Sequence, residues 1–398
     1  MITHASIIPL IGGETIGAEQ AFGQRPEYFL SYSPFQSNDR HVVNYYGDVP
    51  YYLLDKGERH PYKVDVVHTI CPCAGLSMLS NGWGDDNENN KWLVETTKYV
   101  LTEMNPLVFW GENAPGFAGK IGDTVRNQIK TIGKENGYSF SIYRTKTILH
   151  GGPQVRERSF YFFWKGDRVP QFNYFDRPYE KIEDVILGVR SNFQTEVISK
   201  KTPSIDDPYY RFVLEVIHGG ISHKEFSKIK DPQSVRNSDV FSYIESQGVT
   251  YLEVGEWMKR MNFTKEIEQC RQKHEKLSSG KEIMRRGTII PKDHIGAFVN
   301  HYPLKLTHPV EDRYINYREA MTIMGLPDTF ELVDASLKNV NHICQNVPVQ
   351  TAKDMATEVL AHLNNQREVL DTDYVLQNNN SRTIHYEHKS NTLENFFV

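Results

Sequence analysis

The chain has 398 residues, of which 39% are hydrophobic and 12% aromatic, so it can bury a large core and global disorder is excluded. A net charge of −5 excludes a protein held on nucleic acid by bulk charge alone, although a local basic face stays compatible with it. No apolar run approaches the roughly 18 residues of a membrane span, and the first residues lack the basic segment of a signal peptide. Four cysteines do not make a disulfide framework in a chain of this length, so we expect reduced thiols and an intracellular, cytoplasmic protein.

The first 165 residues alternate between predicted strands and helices. ASIIPLIGG is a buried-strand pattern that ends in Gly12 and Gly13, and the helical AEQAFG follows it. Further strand patterns are PEYFLSYS, VDVVHTI, NPLVFWGENAPG, FSIYRTKTIL and RSFYFFWKG, and the helical NKWLVETTKYVLTEM lies between the third and fourth strands. This alternation predicts a mostly parallel α/β sheet with helices on both faces, in which ligands bind at the carboxyl ends of the strands.

The pattern changes near residue 170. KGDRVPQFNYFDRP is rich in turns, and helical patterns such as VTYLEVGEWMKRMN and EIEQCRQKHEKL follow it. We therefore predict a catalytic α/β domain over 1–170 and an inserted module over 171–300. The α/β domain is expected to resume over 301–365 with a closing helix, and residues 366–398 to form a polar, flexible tail.

Two cysteines, Cys71 and Cys73, flank Pro72 at the end of the third predicted strand. A C-x-C pair suits a metal clip, but no second Cys or His pair at a suitable spacing accompanies it, so no metal site is predicted. Cys71 lies within the apolar strand end, where a structural role is expected. Cys73 opens a glycine-containing loop and is the candidate nucleophile, although a single cysteine is more often a small buried residue.

Two other segments are expected at the same edge of the sheet. ENAPG ends the fourth strand and places Glu112 there, and GGPQVRERSF puts Gln154, Arg156 and Arg158 on one face of an extended segment. A thiolate, an acid and an arginine in one cleft suit addition to an electron-poor heteroaromatic ring. Taken singly, Glu112 as a helix cap and the arginines in surface ion pairs remain open alternatives.

The segments PCAGLS, ENAPG, QVRERS, YREAMTIMGLPDTF and QNVPV, in this order, resemble the motifs of the DNA (cytosine-5)-methyltransferase family. The inserted module falls where that family has its target-recognition domain. The resemblance implies an S-adenosylmethionine-dependent methyltransferase fold, Rossmann-like with a mixed sheet. It also implies double-stranded DNA as substrate, S-adenosyl-L-methionine as cofactor and, for a diverged member of phage type, a bacterial host cytoplasm.

The resemblance gives roles to single residues. Cys73 matches the nucleophile that adds to C6 of cytosine, Glu112 matches the acid that protonates N3, and Arg158 matches the arginine that holds the base. Other positions that match substrate-binding residues are Pro72, Ser77, Asn113, Gln154 and Arg156. Of these, Gln154 and Arg156 correspond to active-site and phosphate-facing positions.

The target base is swung out of the duplex in this family, because its C6 face is otherwise stacked. The loop from Ser77 to Asn90, with Gly82 and Gly84 as candidate hinges, is expected to close over the flipped base. Arg318 and Glu319 match a pair that braces the recognition module.

The cofactor motif departs from the family pattern. The family has an Asp-Leu-Phe-x-Gly-x-Gly-Gly run, in which this chain replaces the aspartate by Ser6, the aromatic residue by Ile8 and the first glycine by Leu10. The acid expected after the second strand is absent from LSYSPFQSN, and Asp39 is its nearest substitute. The positions that match cofactor-binding residues are Ile8, Gly12, Gly13, Asp48, Leu93 and Asn346.

Two alternatives follow from these departures. One is a diverged relative that transfers another one-carbon group, or uses an altered cofactor, at cytosine C5. The other is a non-catalytic DNA-binding relative. An active methyltransferase is favoured, since loss of function is expected to remove Cys73 or Glu112 as well.

The chain ends in NTLENFFV, in which Leu393, Phe396 and Phe397 form an L-x-x-F-F pattern. This spacing resembles peptides that dock into sliding-clamp pockets, with the apolar residues as anchors on one helical turn. It predicts a tether to the replication machinery. Packing of the chain end on its own domain is the alternative.

Overall fold

The computed structural model describes residues 1–77, 84, 87–229, 239–285, 287–299, 302–333, 337–378 and 382–386. The strands within these ranges are β1 (His4–Ile7), β2 (Phe29–Ser31), β3 (Tyr51–Leu53), β4 (Val66–Thr69), β5 (Val108–Asn113), β6 (Tyr138–Lys146), β7 (Glu157–Lys165), β8 (Val169–Pro170), β9 (Val369–Leu370), β10 (Tyr374–Asn378) and β11 (Thr383–Tyr386).

Nine of these described strands form one mixed sheet in the order β3-β2-β1-β4-β5-β7-β6-β10-β11. Strands β1 to β5 are parallel to one another, β7 lies antiparallel between β5 and β6, and β10 runs parallel to β6. Strands β8 and β9 pair separately. The sheet confirms the predicted mixed α/β class.

The helices of the described residues cover both faces of the sheet and fill the insert. They are α1 (Gly13–Phe22), α2 (Gln36–Tyr46), α3 (Asn90–Tyr99), α4 (Asp123–Glu135), α5 (Ile182–Leu187), α6 (Pro203–Asp206), α7 (Pro208–Phe212), α8 (His223–Phe226), α9 (Val240–Ser246), α10 (Tyr251–Arg260), α11 (Thr264–Ser278), α12 (Tyr317–Ile323), α13 (Leu337–Gln345) and α14 (Val349–Leu363). No helix among these residues is long and apolar enough to cross a membrane.

The central strands are apolar on both sides because helices cover both faces of the sheet. Each residue of β1, β4 and β5 is buried. Helix α1 lies against α14, where Gly17 permits the close approach: a Cβ at Gly17 would lie 2.7 Å from Cβ of Ala352. This contact holds the first turn of α1 tightly over the sheet.

The insert has a hydrophobic cluster of its own between Tyr209 and Ile290. Its flanks pack differently: Ile182, Ile198 and Ile295 belong to a cluster that also contains Met321 of α12. The buried Arg318 side chain donates to the backbone oxygens of Phe193, Pro327 and Phe330, which ties the start of the insert to the segment after α12.

The structure corrects the flexible tail predicted from residue 366. Strand β10 extends the main sheet, and Tyr374 and Leu376 are buried in the main core. The Tyr374 hydroxyl donates to the backbone oxygen of Pro170 at 2.6 Å. Only three residues of β10 point into the protein. This alternation is too short to predict a strand within a segment of polar composition.

Candidate active site

Three of the predicted site residues lie at one edge of the sheet. Cys73 follows β4 and Glu112 is near the end of β5; these strands are parallel, so their carboxyl ends point the same way. Strand β7 is antiparallel to β5, with Asn113 opposite Ser159, so its first residues return to that edge and bring Arg158. Strand directions therefore bring the thiol, the carboxylate and the guanidinium together.

Glu112 and Arg158 form a close ion pair. Nε of Arg158 lies 2.5 Å from Oε1 of Glu112, whose side chain is 2% exposed, while that of Arg158 is 13% exposed. Neither atom has a hydrogen-bond partner of good geometry among the described residues, so the contact is electrostatic and leaves both atoms able to bond a ligand. The pair matches a planar ring in which a nitrogen lies beside an exocyclic oxygen: the carboxyl group suits the nitrogen and the guanidinium suits the oxygen.

The two cysteines differ in their surroundings. Cys71 is 1% exposed, its Sγ lies 3.5 Å from Oγ1 of Thr69, and burial raises the pKa of its thiol to about 11. Cys73 is partly exposed at the start of a short helical turn. Burial also raises the pKa of the Cys73 thiol, but the Arg158 guanidinium opposes that shift. Cys73 is therefore the accessible thiol of the pair.

The residues beside these three fall into two groups. Pro72 and Ser77 are partly exposed on either side of Cys73. Asn113 is fully buried; its Oδ1 accepts a hydrogen bond from the Ala114 backbone, and its Nδ2 has no partner within the described part of the chain. An unpaired buried donor next to Glu112 is a natural contact for a ligand.

Gln154 and Arg156 make buried contacts with the protein itself. Gln154 accepts a hydrogen bond from the Phe298 backbone at 3.1 Å and donates to Sδ of Met324. Nη1 of Arg156 donates to the backbone oxygens of Phe298, at 3.0 Å, and Cys344, at 2.6 Å. The structure thus places Arg156 as a brace between two segments, whereas the family resemblance implies a phosphate-facing position.

Gly12, Gly13 and Asn346 meet at the start of α1. The Gly13 backbone donates to Oδ1 of Asn346 at 2.7 Å, and a Cβ at Gly13 would overlap that amide and the carbonyl of Val347. Gly12 has a φ of 100°, which favours glycine. Nδ2 of Asn346 is buried and has no hydrogen-bond partner among the described residues, so it remains available to a ligand.

The turn before α1 keeps a glycine-like backbone without the glycine. Ile8 and Leu10 have φ values of 55° and 49°, in a region that side-chain-bearing residues rarely adopt. Both side chains are buried in the main core. The turn before α1 therefore carries two buried apolar side chains on a backbone of positive φ.

Asp48 does not reach this edge. It precedes β3, at the opposite edge of the sheet, where it is exposed and pairs with Arg25 at 2.7 Å. Asp55, which directly follows β3, occupies the ligand-binding edge, and its Oδ1 accepts a hydrogen bond from the Ser33 backbone at 2.9 Å. The prediction that placed Asp48 at this edge is therefore corrected: Asp48 precedes the three-residue β3, a strand that the sequence analysis did not recognise.

Aromatic side chains occupy the region after β2. The rings of Tyr32 and Trp92 are 4.9 Å apart, and those of Phe35 and Trp92 are 5.2 Å apart. Leu93, next to Trp92, is buried in the main core. Asp39 is fully buried and accepts hydrogen bonds from Ser31 and Tyr51, with burial raising its pKa to about 7. Asp39 therefore links β2 and β3 from within the protein, and its carboxyl group is not accessible to a ribose.

Sequence reasoning missed Glu14, because an acid in the first helical turn is an ordinary stabilising feature of a helix. In the structure its side chain is fully buried beneath α1, and neither carboxyl oxygen has a hydrogen-bond partner within the described ranges. The only signal was its position directly after Gly12 and Gly13.

S-adenosylmethionine fits this edge in part. The Gly12–Gly13 turn, the unpaired amide of Asn346 and the buried Glu14 suit a cofactor that is positively charged at its reacting end. The region after β2 offers Tyr32 where the family has an acid, so the fit is weaker at the ribose.

Some predicted features lie outside the described residues. They include Gly82 with most of the Ser77–Asn90 loop, and Leu393, Phe396 and Phe397 of the chain end. Among the residues that are described, no three His, Cys, Asp or Glu side chains form a group that could hold a metal ion.

The chain is similar to several known proteins. The chain matches the family model described as C-5 cytosine-specific DNA methylase over residues 46–361. A curated relative, the Type II methyltransferase M.PspPI of Psychrobacter sp. (strain TA137), is 23% identical over 314 residues, or 76% of this chain. The match spans 65% of that relative, slightly under two thirds of its length.

Two solved structures share the fold. A prophage-encoded protein of Escherichia coli, described as a DNA modification methyltransferase, has a TM-score of 0.56 at 16% identity, covering 92% of this chain and 100% of that one. The Entamoeba histolytica methyltransferase EhMeth has a TM-score of 0.54 at 13% identity, covering 91% and 99%. At these identities the likeness concerns the fold alone.

Proposed function

The chain belongs to the C-5 cytosine-specific DNA methylase family, and on that premise we propose that it is an active enzyme that methylates C5 of cytosine in double-stranded DNA. The observation that carries the proposal is the meeting of Cys73, Glu112 and Arg158 at one sheet edge. Loss of activity in a diverged relative would leave no reason to keep all three groups together.

Glu112 and Arg158 would orient a cytosine that has left the duplex. As the base enters, the Glu112 carboxylate would take up a proton from solvent and donate it to N3, and the Arg158 guanidinium would donate a hydrogen bond to O2. The buried amide of Asn113 supplies a further donor beside them. Protonation at N3 draws electrons from the ring and makes C6 electrophilic.

Cys73 would then attack C6. Its thiol gives up a proton, a bond forms between Sγ and C6, and electron density moves to C5, which becomes nucleophilic. Because the raised pKa of Cys73 keeps the thiol protonated in the free protein, the nearby Arg158 guanidinium has to support the thiolate. Once C5 carries the methyl group, loss of the C5 proton to solvent would expel the Cys73 thiolate and restore the aromatic ring.

Gly12, Gly13 and Asn346 would hold the cofactor, and Asp55 replaces Asp48 at the far side of that site. S-adenosylmethionine supplies an electrophilic methyl group to C5. The missing Cβ of Gly13 lets Asn346 pack against the start of α1, where the Gly13 N–H holds its side-chain oxygen.

The insert over 171–300 is proposed to contact the DNA. Lys259 and Arg260 are exposed at the end of α10, where they suit phosphate contacts. Replacing both by alanine should weaken DNA binding and reduce its salt dependence, while leaving the thermal transition unchanged. An unaltered salt dependence would remove these two residues from the interface.

The deciding experiment is nucleoside mass spectrometry of duplex DNA incubated with the full chain and S-adenosylmethionine. A cytosine product heavier by one methyl group, absent with Cys73→Ser, is expected. A different mass increment would favour transfer of another one-carbon group. Tight DNA binding without any product would favour a non-catalytic DNA-binding protein.

The sliding-clamp tether is a separate proposal that rests on the L-x-x-F-F sequence pattern of the chain end. Deleting residues 390–398 should abolish clamp binding in a pull-down and leave turnover on short duplexes unchanged. Clamp binding that survives the deletion would contradict it.

A further inference from the structure

Glu14 is the buried charge-bearing group of the cofactor edge that the proposed reaction does not yet use. It lies in the first turn of α1, directly after Gly12 and Gly13, and its side chain is fully buried. Neither carboxyl oxygen has a hydrogen-bond partner among the described residues. Nδ1 of His68 is 3.9 Å from Oε2, which is too long for a hydrogen bond.

No neighbouring cation neutralises Glu14 in the described part of the chain. Burial lowers the pKa of His68 well below its usual value and that of His4 to about 4, so both rings are neutral near pH 7. Glu112, on β5, adds a like charge. Burial and the field of Glu112 raise the pKa of Glu14 well above its usual value, which favours the protonated carboxyl group in the free protein.

The element packed over α1 does not neutralise it either. On α14, Asp354 pairs with Arg177 at 2.8 Å and Glu358 pairs with Arg367 at 2.7 Å, so both arginines are already engaged. An unpartnered buried carboxyl group lowers stability, and this one lies beside a predicted ligand site. Its missing interaction partner is therefore expected to be part of the ligand.

We propose that Glu14 is a cofactor-binding residue that receives the positive charge of the sulfonium group of S-adenosylmethionine. The inference rests on the proposed function and adds a residue to it. Glu14 directly follows Gly12 and Gly13 in the first turn of α1, and Glu112 of the base half is near enough to act on its charge, so the carboxyl group is close to both halves of the candidate site. The family resemblance implies two acidic residues at this edge that the chain lacks, one at Ser6 and one after β2. The Glu14 carboxylate supplies a negative charge there.

Binding then has a defined proton balance. The carboxyl group of Glu14 releases its proton to solvent, and the carboxylate pairs with the sulfonium. S-adenosylhomocysteine has a neutral thioether at the same position, so its binding releases no proton from Glu14. Glu14 thus favours the substrate form of the cofactor over the product form.

Isothermal titration calorimetry of the full chain with each ligand, at pH 7 in buffers of different ionisation enthalpy, tests this. The wild type should release close to one proton per S-adenosylmethionine and none per S-adenosylhomocysteine. Glu14→Gln should abolish the proton release and weaken S-adenosylmethionine binding about tenfold or more, leaving S-adenosylhomocysteine affinity unchanged. Glu19→Gln, on the same helix but partly exposed, should behave as wild type.

Gln is close in shape to a protonated Glu, so the thermal transition of Glu14→Gln should match the wild type and separate folding from binding. Equal proton release and equal S-adenosylmethionine affinity in wild type and Glu14→Gln would overturn the role of Glu14 while leaving the proposed function intact. A wild type that binds neither ligand would overturn both together.

Discussion

The two halves of the candidate site differ in what they keep. The half that faces the base keeps particular side chains, Cys73, Glu112 and Arg158, whose atoms form or steer bonds. The cofactor half is defined by its backbone instead: Ile8 and Leu10 stand where the family has other residues, and both have positive φ values. Covalent addition needs specific atoms, whereas a close backbone approach needs only a conformation, so the second half tolerates more change in sequence.

The largest expected effect falls on the base half. Cys73→Ala should remove all detectable methyl transfer, because no other described thiol at this edge is accessible. The measurement is methyl incorporation into duplex DNA, together with covalent trapping on 5-fluorocytosine DNA, whose C5 has no proton to lose. Cys71→Ala is the matched control and should keep both activities; loss of trapping in that variant alone would reverse the assignment of the two cysteines.

A large effect is expected for the backbone of the cofactor half. Gly13→Ala should weaken S-adenosylmethionine binding about 100-fold or more, because its Cβ overlaps Val347 and Asn346 and opens the turn. Gly119→Ala, whose Cβ would meet its first neighbour at 3.6 Å, is the control. Cofactor affinity is measured by calorimetry, and DNA binding is expected to stay intact in both variants, which would separate the cofactor half from the base half. Unchanged cofactor affinity in Gly13→Ala would show that the turn is not part of the site.

The pH dependence of covalent trapping should be intermediate in size. Burial raises the pKa of Cys73, so the thiolate fraction is small at neutral pH and rises about tenfold per unit until the pKa is passed. The rate of adduct formation should therefore increase with pH. A rate that is flat from pH 6 to pH 9 would mean that the thiolate is already formed in the free enzyme.

The smallest effect distinguishes two acids of the cofactor half. Asp55→Asn should weaken S-adenosylmethionine binding about fivefold, whereas Asp48→Asn should change neither affinity nor thermal stability, since its ion pair with Arg25 is exposed. Both variants can be compared by calorimetry under one condition. The opposite order of effects would restore Asp48 to the site.

The site residues differ in how far sequence alone located them. Cys73 and Glu112 end apolar strand patterns, and the carboxyl ends of parallel strands share an edge, so their meeting was predictable. Arg156 shows the limit of that reasoning. Its alternation with Arg158 placed both on one face of an extended segment, but the segments at Phe298 and Cys344, far along the chain, determine what Arg156 contacts.

The sequence by itself determined the α/β class, the order of the motifs and the candidate nucleophile, because hydrophobic periodicity and motif order can be read along the chain. Only the tertiary structure separated Asp48 from Asp55, since a three-residue strand lies between them and places them at opposite edges of the sheet. It also decided the state of Glu14. A glutamate in a first helical turn is normally solvated, and here the close packing of α1 on the sheet and on α14 buries it without a partner among the described residues.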